Sequence, residues 1–237
     1  MNELHDRDSI YELFSIVTNA CHEIHLPLTA SGLQYVKLHL GTGFDYDCFY
    51  RRRLSVCRTL IDLYLPVNRK KLDIMLAATL LNHMPVDTIP EDHDEILGGL
   101  FSVEPAVTRV LSVLRHRDYM DKSYYDRLIS NPYALIIRLA ERAVLVEKLY
   151  EWDPTDALRF IRETRESFYP MCLYAKEHYP DFFAAANILH EKMRNLTTVN
   201  EALLSRFVET ENAISDEILA LREENTAIRA MIRELQA

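Results

Sequence analysis

The chain is poor in glycine, with only five glycines among its 237 residues. Glycine supplies the backbone conformations that tight turns and bulged strands need, so this scarcity argues against a fold rich in β-structure. Leucine, alanine, glutamate and arginine are plentiful, and these residues favour helix. The nine prolines lie mostly at the borders of apolar segments, where a helix loses little from the missing N–H donor. The composition therefore predicts an all-α protein.

The chain also lacks an excess of positive charge and any long apolar run. Its formal net charge of −9 disfavours non-specific binding to nucleic acid or to an anionic membrane. No apolar stretch approaches the roughly 20 residues that span a bilayer, and the first residues are polar, so we expect neither membrane insertion nor a secretory leader. The four cysteines form no CxxC pair and lie among apolar neighbours. This is typical of a reduced, cytoplasmic protein.

Helical periodicity and helix-start signals divide most of the chain into helices of moderate length. Asn131-Pro132 and Asp153-Pro154 each combine a capping side chain with a proline in the first turn. Short connections between such helices predict a helical bundle. The predicted helices cover about residues 8–24, 31–40, 49–65, 70–83, 105–114, 133–150, 153–176 and 180–195.

The C-terminal residues carry a heptad pattern. With Leu204 at position a, apolar residues occupy most a and d positions through Leu235, the exceptions being Glu211 and Asn225. A single Asn at position a favours a parallel dimer. The alternative is an amphipathic helix that folds back onto the body, although such a helix needs a wider apolar face. We expect a helical domain over 1–195, a coiled-coil helix over 196–237 and a parallel homodimer through residues 200–237. Its g-to-e pairs have opposite charge: Glu217 with Arg222, and Glu224 with Arg229.

One segment, residues 77–88, has the frame of a metal-hydrolase helix without the residues that bind the metal. It resembles the second motif of RelA/SpoT-type HD-domain phosphohydrolases, in which an Ala-Ala-x-Leu-Leu run precedes adjacent His-Asp and then Glu-Asp-Thr. Asn82-His83 stands at the His-Asp positions, and Val86-Asp87 stands at the Glu-Asp positions. The resemblance covers roughly residues 30–180 and implies an HD-domain-like helical bundle.

Two further segments resemble the family's other ligand motifs. In residues 49–57, matching Leu54 and Val56 to the family places Arg52 at the position of the first His, whereas anchoring on Tyr50 places Arg53 there. In residues 137–142, the match to Lys-Leu-Ala-Asp-Arg places Glu141 at the position of the last Asp and is followed by Arg142. The candidate pocket residues are Arg52, Arg53, Asn82, His83, Glu141 and Arg142.

By this resemblance the vestigial metal positions hold Arg52, Asn82, His83 and Glu141. A guanidinium has no lone pair to offer and repels a cation, so we expect no bound metal and no other cofactor. The hypothesis is that Arg52 replaces the metal and pairs with Glu141. The alternative for His83 is a purely structural role, as a core or capping histidine.

Three functions remain open at this stage. The first is a non-catalytic regulatory or interaction protein, a pseudoenzyme that dimerises. The second is an active, manganese-dependent phosphohydrolase of (p)ppGpp or another nucleotide, with Asp87 as the catalytic residue. The third is a sensor that binds a guanine nucleotide without hydrolysis through Arg51–Arg53 and Arg142. The substituted metal ligands favour the two non-catalytic functions.

Overall fold

The computed structural model describes residues 2–40, 44–64, 68–82, 105–114 and 122–236. Within these ranges all regular structure is helical, which confirms the predicted all-α class. None of these helices combines the length and the apolarity that crossing a bilayer would demand. The α-helices are α1 (Asn2–Ile24), α2 (Pro27–His39), α3 (Phe44–Tyr64), α4 (Arg69–Leu81), α5 (Pro105–Leu114), α6 (Lys122–Ser130), α7 (Pro132–Glu147), α8 (Pro154–Glu163), α9 (Tyr169–His178) and α10 (Phe183–Gln236).

Helices α4 and α7 form the interior of the molecule. Every residue from Leu72 to Leu81 on α4 is buried, and so is every residue from Ala134 to Val144 on α7. A helix that is buried on all sides must be surrounded by other elements. Helix α7 accordingly packs against α3, α4, α5, α6 and α10. The apolar run predicted to be central therefore occupies the centre.

The two predicted helix starts are confirmed by their capping hydrogen bonds. The Asn131 side chain accepts a hydrogen bond from the backbone N–H of Ala134 at 3.1 Å. The Asp153 side chain accepts one from the N–H of Thr155 at 2.9 Å. These bonds satisfy backbone donors that have no partner within the first turn of a helix.

Helix α2 begins at Pro27, four residues before the predicted start. Its cap is supplied from a distance by Asp73 on α4, a buried residue whose carboxylate accepts from the N–H groups of Leu28 at 3.1 Å and Thr29 at 2.7 Å. The Thr29 hydroxyl donates to the same carboxylate at 2.7 Å. Because the capping residue lies on another helix, local sequence gives no sign of it.

The helix expected over 153–176 is interrupted by a π-helical segment, Thr164–Phe168. Pro170 lies in the first turn of α9, directly after this segment. Proline has no N–H to donate to the preceding turn, so regular α-helical bonding cannot run through it. The chain resumes as α9 and continues to His178, two residues beyond the predicted end.

Helix α10 does not fade near Asn195 as predicted but continues unbroken to Gln236. Leu204 is buried in a second apolar cluster with Val146, Leu149, Ala157 and Ile161. The assignment of Leu204 to an intermolecular seam was therefore wrong, since this side chain packs within its own body. Residues 209–229 are all exposed, and a dimer seam over this part of α10 stays a prediction. The division at residue 195 stays a prediction.

Candidate functional site

The predicted site residues come from three helices and from one stretch that the structure leaves undescribed. Arg52 and Arg53 lie on α3, Glu141 and Arg142 lie on α7, and Asn82 directly follows α4. His83, Val86 and Asp87 lie outside the described residues. Helices α3 and α7 pack together, and their contact places the arginines beside Glu141.

Glu141 lies at the centre of a buried cluster of charges. Its Oε1 accepts a hydrogen bond from Arg53 Nη1 at 2.9 Å, and its Oε2 accepts one from Arg138 Nη1. Arg138 Nη2 also donates to the Leu114 carbonyl at 2.6 Å. All three charged side chains are less than a tenth exposed. Both oxygens of the carboxylate are therefore engaged by guanidinium groups.

The expected ion pair exists, but Arg53 forms it rather than Arg52. Arg53 and Tyr50 are three residues apart and both buried, because residues at that spacing share a helix face. Arg53 also lies over the Phe49 ring, with its guanidinium carbon 5.1 Å from the ring centroid. Arg52 points about 100° away around the helix and is exposed. Of the two alignments of residues 49–57, the one that matches Tyr50 to the family motif therefore identifies Arg53, the arginine that contacts Glu141.

This cluster is a poor site for a divalent cation. Each carboxylate oxygen of Glu141 already faces a positive charge, which repels a metal ion at coordination distance. Among the described residues, no group of three or more His, Cys, Asp or Glu side chains is placed to hold a metal ion. The described residues of this cluster do not fit the metal that the family resemblance implies.

Arg142 anchors the π-helical segment to α7. Its Nε donates to the Thr164 hydroxyl at 2.8 Å, and its Nη2 donates to the Phe160 carbonyl at 2.8 Å and to Glu163 Oε2 at 3.0 Å. The guanidinium carbon lies 3.4 Å from the ring centroid of Phe160 and 4.3 Å from that of Phe168. Burial lowers the pKa of Arg142, and the Glu163 carboxylate opposes this shift. Arg142 is therefore a buried structural cation with defined partners.

A cavity of about 220 Å³ opens beside this cluster. Sequence reasoning found Arg52, Glu141 and Arg142 there but missed Arg138, although a cation three residues before Glu141 on the same helix is a detectable signal. No comparable sequence pattern indicates that the aromatic residues Tyr124, Tyr125 and Phe168 line this cavity. The described lining residues are Arg52, Tyr124, Tyr125, Arg138, Glu141, Arg142, Leu145, Glu163 and Phe168.

A second cavity of about 190 Å³ adjoins the first, because Arg52 and Leu145 line both. Among the described residues that line the two cavities, cationic side chains outnumber carboxylates, even though the whole chain has a formal charge of −9. The described lining residues of the second cavity are Cys48, Arg51, Arg52, Val144, Leu145, Lys148, Glu151 and Trp152.

Asn82 is fully buried, and neither its Oδ1 nor its Nδ2 has a hydrogen-bond partner among the described residues. A buried amide without partners costs about 1–3 kcal/mol of stability, and such groups are uncommon in folded proteins. Asn82 is not among the described residues that line either cavity. Its predicted place in the pocket stays a prediction.

The fold and the site together define an all-α protein with a buried Arg–Glu–Arg cluster beside a small basic and aromatic cavity. Comparisons with protein-family models, with curated proteins and with solved structures found no match to this chain. The resemblance to HD-domain hydrolases therefore stays a prediction, and the function must be argued from the site itself.

Proposed function

We propose that this chain is a non-catalytic regulatory protein on an HD-like helical frame, which binds a small anionic ligand such as a guanine nucleotide beside Glu141. The observation that carries the proposal is the engagement of both Glu141 oxygens by Arg53 and Arg138. In a metal-dependent hydrolase, a carboxylate at this position would have to hold a divalent cation. Here two arginines supply the positive charge instead.

The loss of the metal removes the chemistry of phosphate hydrolysis. A bound divalent cation lowers the pKa of a water ligand and stabilises charge on the phosphate under attack. Arginine cannot do the first of these, because a guanidinium is not a Lewis acid and has no vacant site that could accept the lone pair of a water. It can do the second, since guanidinium groups bind phosphate through paired N–H donors. The site is therefore suited to holding a phosphate without cleaving it.

The charge around the cavities supports an anionic ligand. Arg52 lines both cavities and is exposed, and it forms no salt bridge with any described residue. A charge-assisted hydrogen bond from such a group contributes about 1.5–3 kcal/mol. We therefore expect Arg52→Gln to weaken ligand binding by about 10- to 100-fold. Arg159→Gln is the matched control, because Arg159 is exposed on α8 and lines neither cavity.

The proposal is tested by elemental analysis of purified protein, a manganese-dependent phosphate-release assay and calorimetry with guanosine tetraphosphate. We expect no stoichiometric metal, no phosphate release, and saturable binding that Arg52→Gln weakens and Arg159→Gln leaves unchanged. Stoichiometric metal together with turnover would instead establish the active phosphohydrolase. The absence of any nucleotide binding would overturn the sensor.

The second element of the proposal is a parallel homodimer formed through the distal half of α10. Large apolar side chains at the d and a positions stay exposed there, including Phe207 and Ile214 at 52% and Leu221 at 57%. An apolar stripe of this size on an otherwise polar helix marks an interaction surface. The opposite charges predicted at g and e favour a second copy of this chain as the partner.

A pair of single substitutions tests the dimer on the full chain. Ile218 occupies an a position of the seam and is 45% exposed, whereas Leu219 occupies the neighbouring b position and is 53% exposed. We expect the wild type and Leu219→Glu to sediment as dimers and Ile218→Glu to sediment as a monomer. A monomeric wild type at micromolar concentration, or equal behaviour of the two variants, would contradict the seam.

A further inference from the structure

Helix α10 carries a row of exposed apolar side chains on the part that lies against the body. Val199 is 55% exposed, Leu203 is 58% exposed and Phe207 is 52% exposed. Residues four apart on a helix differ by about 40° in direction, so the three lie on one side of α10, and we name them the proximal row. We propose that the proximal row packs against the same row of a second copy, so that the two bodies touch each other in the dimer.

This inference rests on the proposed homodimer and adds a contact between the bodies to it. The heptad pattern that predicts the dimer does not include this contact. With Leu204 at position a, Leu203 lies at position g and Val199 at position c. Both positions fall outside the a/d seam of a coiled coil. The exposure of Val199 and Leu203 therefore marks an apolar surface that the heptads do not account for.

The opposite side of the same stretch of α10 is fixed to the body. Leu204 is buried in the second apolar cluster with Val146, and Asn200 Nδ2 donates to the Val146 carbonyl at 2.8 Å. The helix is therefore apolar on its outer side as well as on its inner side. A helix that is apolar all round is normally buried all round. The outer side at Val199 and Leu203 thus requires a partner.

The proximal row is continuous with the exposed apolar stripe further along α10. Leu203 and Ile214 are eleven residues apart, and so are Phe207 and Ile218. An eleven-residue repeat corresponds to about 3.67 residues per turn, close to the 3.6 of a straight α-helix. Both parts of the stripe therefore face the same side of the unbroken helix. A second copy that covers the distal part is brought over the proximal row as well.

The row ends at an ion pair on its upstream side, which limits the contact between the bodies. Lys192 lies about two turns before Val199 on the same side of α10. Its ammonium is paired with Glu147 on α7 at 2.6 Å. A charge that is already paired within the body gains little from a second copy. The contact therefore extends from Val199 to Phe207, with Leu203 at its centre.

Cysteine cross-linking tests this contact on the full chain. In a parallel dimer with two-fold symmetry, a residue on the axis meets its own counterpart, and a disulfide needs Cα atoms within about 7 Å. Cys48→Ser removes the exposed native thiol, and in that background we expect oxidised Leu203→Cys to form a covalent dimer. Ala202→Cys is the matched control and should stay uncross-linked, because Ala202 is exposed but points about 100° away.

Sedimentation measures how much the contact contributes to the dimer. Leu203→Glu removes a buried leucine and adds a charge on each copy, so we expect the dissociation constant to rise at least about 100-fold. Ala202→Glu should change it by less than about 3-fold. A dimer that Ile218→Glu abolishes and Leu203→Glu leaves unchanged, without a cross-link at residue 203, would overturn the contact and leave the proposed dimer intact. A monomeric wild type would overturn both.

The alternative occupant of the proximal row is a segment of its own chain, and unfolding in urea distinguishes the two. The comparison uses Ile218→Glu, which we expect to be monomeric, with and without Leu203→Glu. A row that only a second copy covers gives the same urea midpoint for both proteins, and this is the result that we expect. A lower midpoint with Leu203→Glu would show that the row belongs to the core of its own body and would overturn the inference.

Discussion

Substitution of Glu141 by glutamine measures how strongly the buried cluster depends on its single carboxylate. The change keeps the shape of the side chain but removes the negative charge between Arg53 and Arg138. Breaking a buried ion pair by removing one partner costs about 3–5 kcal/mol, because the remaining charge is left buried and uncompensated. For a chain of this size each kcal/mol shifts the melting temperature by about 2–4 °C. We therefore expect Glu141→Gln to lower it by about 6–20 °C.

Thermal unfolding followed by circular dichroism provides the assay, run once with EDTA and once with added manganese in its place. Glu191→Gln is the control, because Glu191 and its partner Arg194 on α10 are both largely exposed and their pair should contribute at most about 1 kcal/mol. A triple variant with Arg53→Met, Arg138→Leu and Glu141→Leu should recover much of the lost stability, since replacing a whole buried ion cluster by apolar residues is often neutral or stabilising. If Glu141→Gln changes stability by less than about 0.5 kcal/mol while manganese stabilises the wild type, the reasoning is refuted.

Three other variants test separate features by chemical or thermal unfolding. Asn82→Leu removes a buried amide that has no hydrogen-bond partner among the described residues and should raise the free energy of unfolding by about 1–3 kcal/mol, whereas a decrease would show that the amide is bound in solution. Asp73→Ala deprives the start of α2 of its distant cap at Thr29 and should cost at least about 2 kcal/mol in urea unfolding, while a loss below about 0.5 kcal/mol would contradict the cap. Burial, followed by the nearby Lys176, lowers the pKa of His190 below its usual 6.5, so the unfolded chain binds more protons there than the folded chain. Stability should therefore fall as the pH drops below about 6.5, and His190→Gln should reduce that slope.

Most of the fold was predictable because it follows from local patterns. The caps at Asn131 and Asp153 and the continuous apolar run of α7 are properties of neighbouring residues, and the structure agrees with each of them. The start of α2 was missed because its cap comes from Asp73 on another helix. The interruption at Thr164–Phe168 was missed because it depends on Arg142 as well as on Pro170. Both errors arise where tertiary contacts decide a local conformation.

The sequence predicted the type of ion pair at the candidate site but not the arginine that forms it. An arginine paired with Glu141 was expected, and the pair is present with Arg53 in place of Arg52. A shift of one residue matters on a helix, because adjacent side chains point about 100° apart. The second arginine of the cluster, Arg138, was missed although its spacing of three residues from Glu141 on one helix is visible in the sequence.

The π-helical segment lets α9 keep its faces although the chain carries one residue more than an uninterrupted α-helix would hold there. A π-helical turn closes its hydrogen bonds one residue later than an α-helical turn, so it holds one extra residue in nearly the same rotation. Deletion of one residue within Thr164–Phe168 would therefore convert the wide turn into an α-helical one and leave Met171, Cys172 and Ala175 facing the main core. The same deletion in the regular part of α8 would instead turn those residues by about 100° about the helix axis. The segment is thus a place where the loss of a single residue can be absorbed inside a helical stretch of the core.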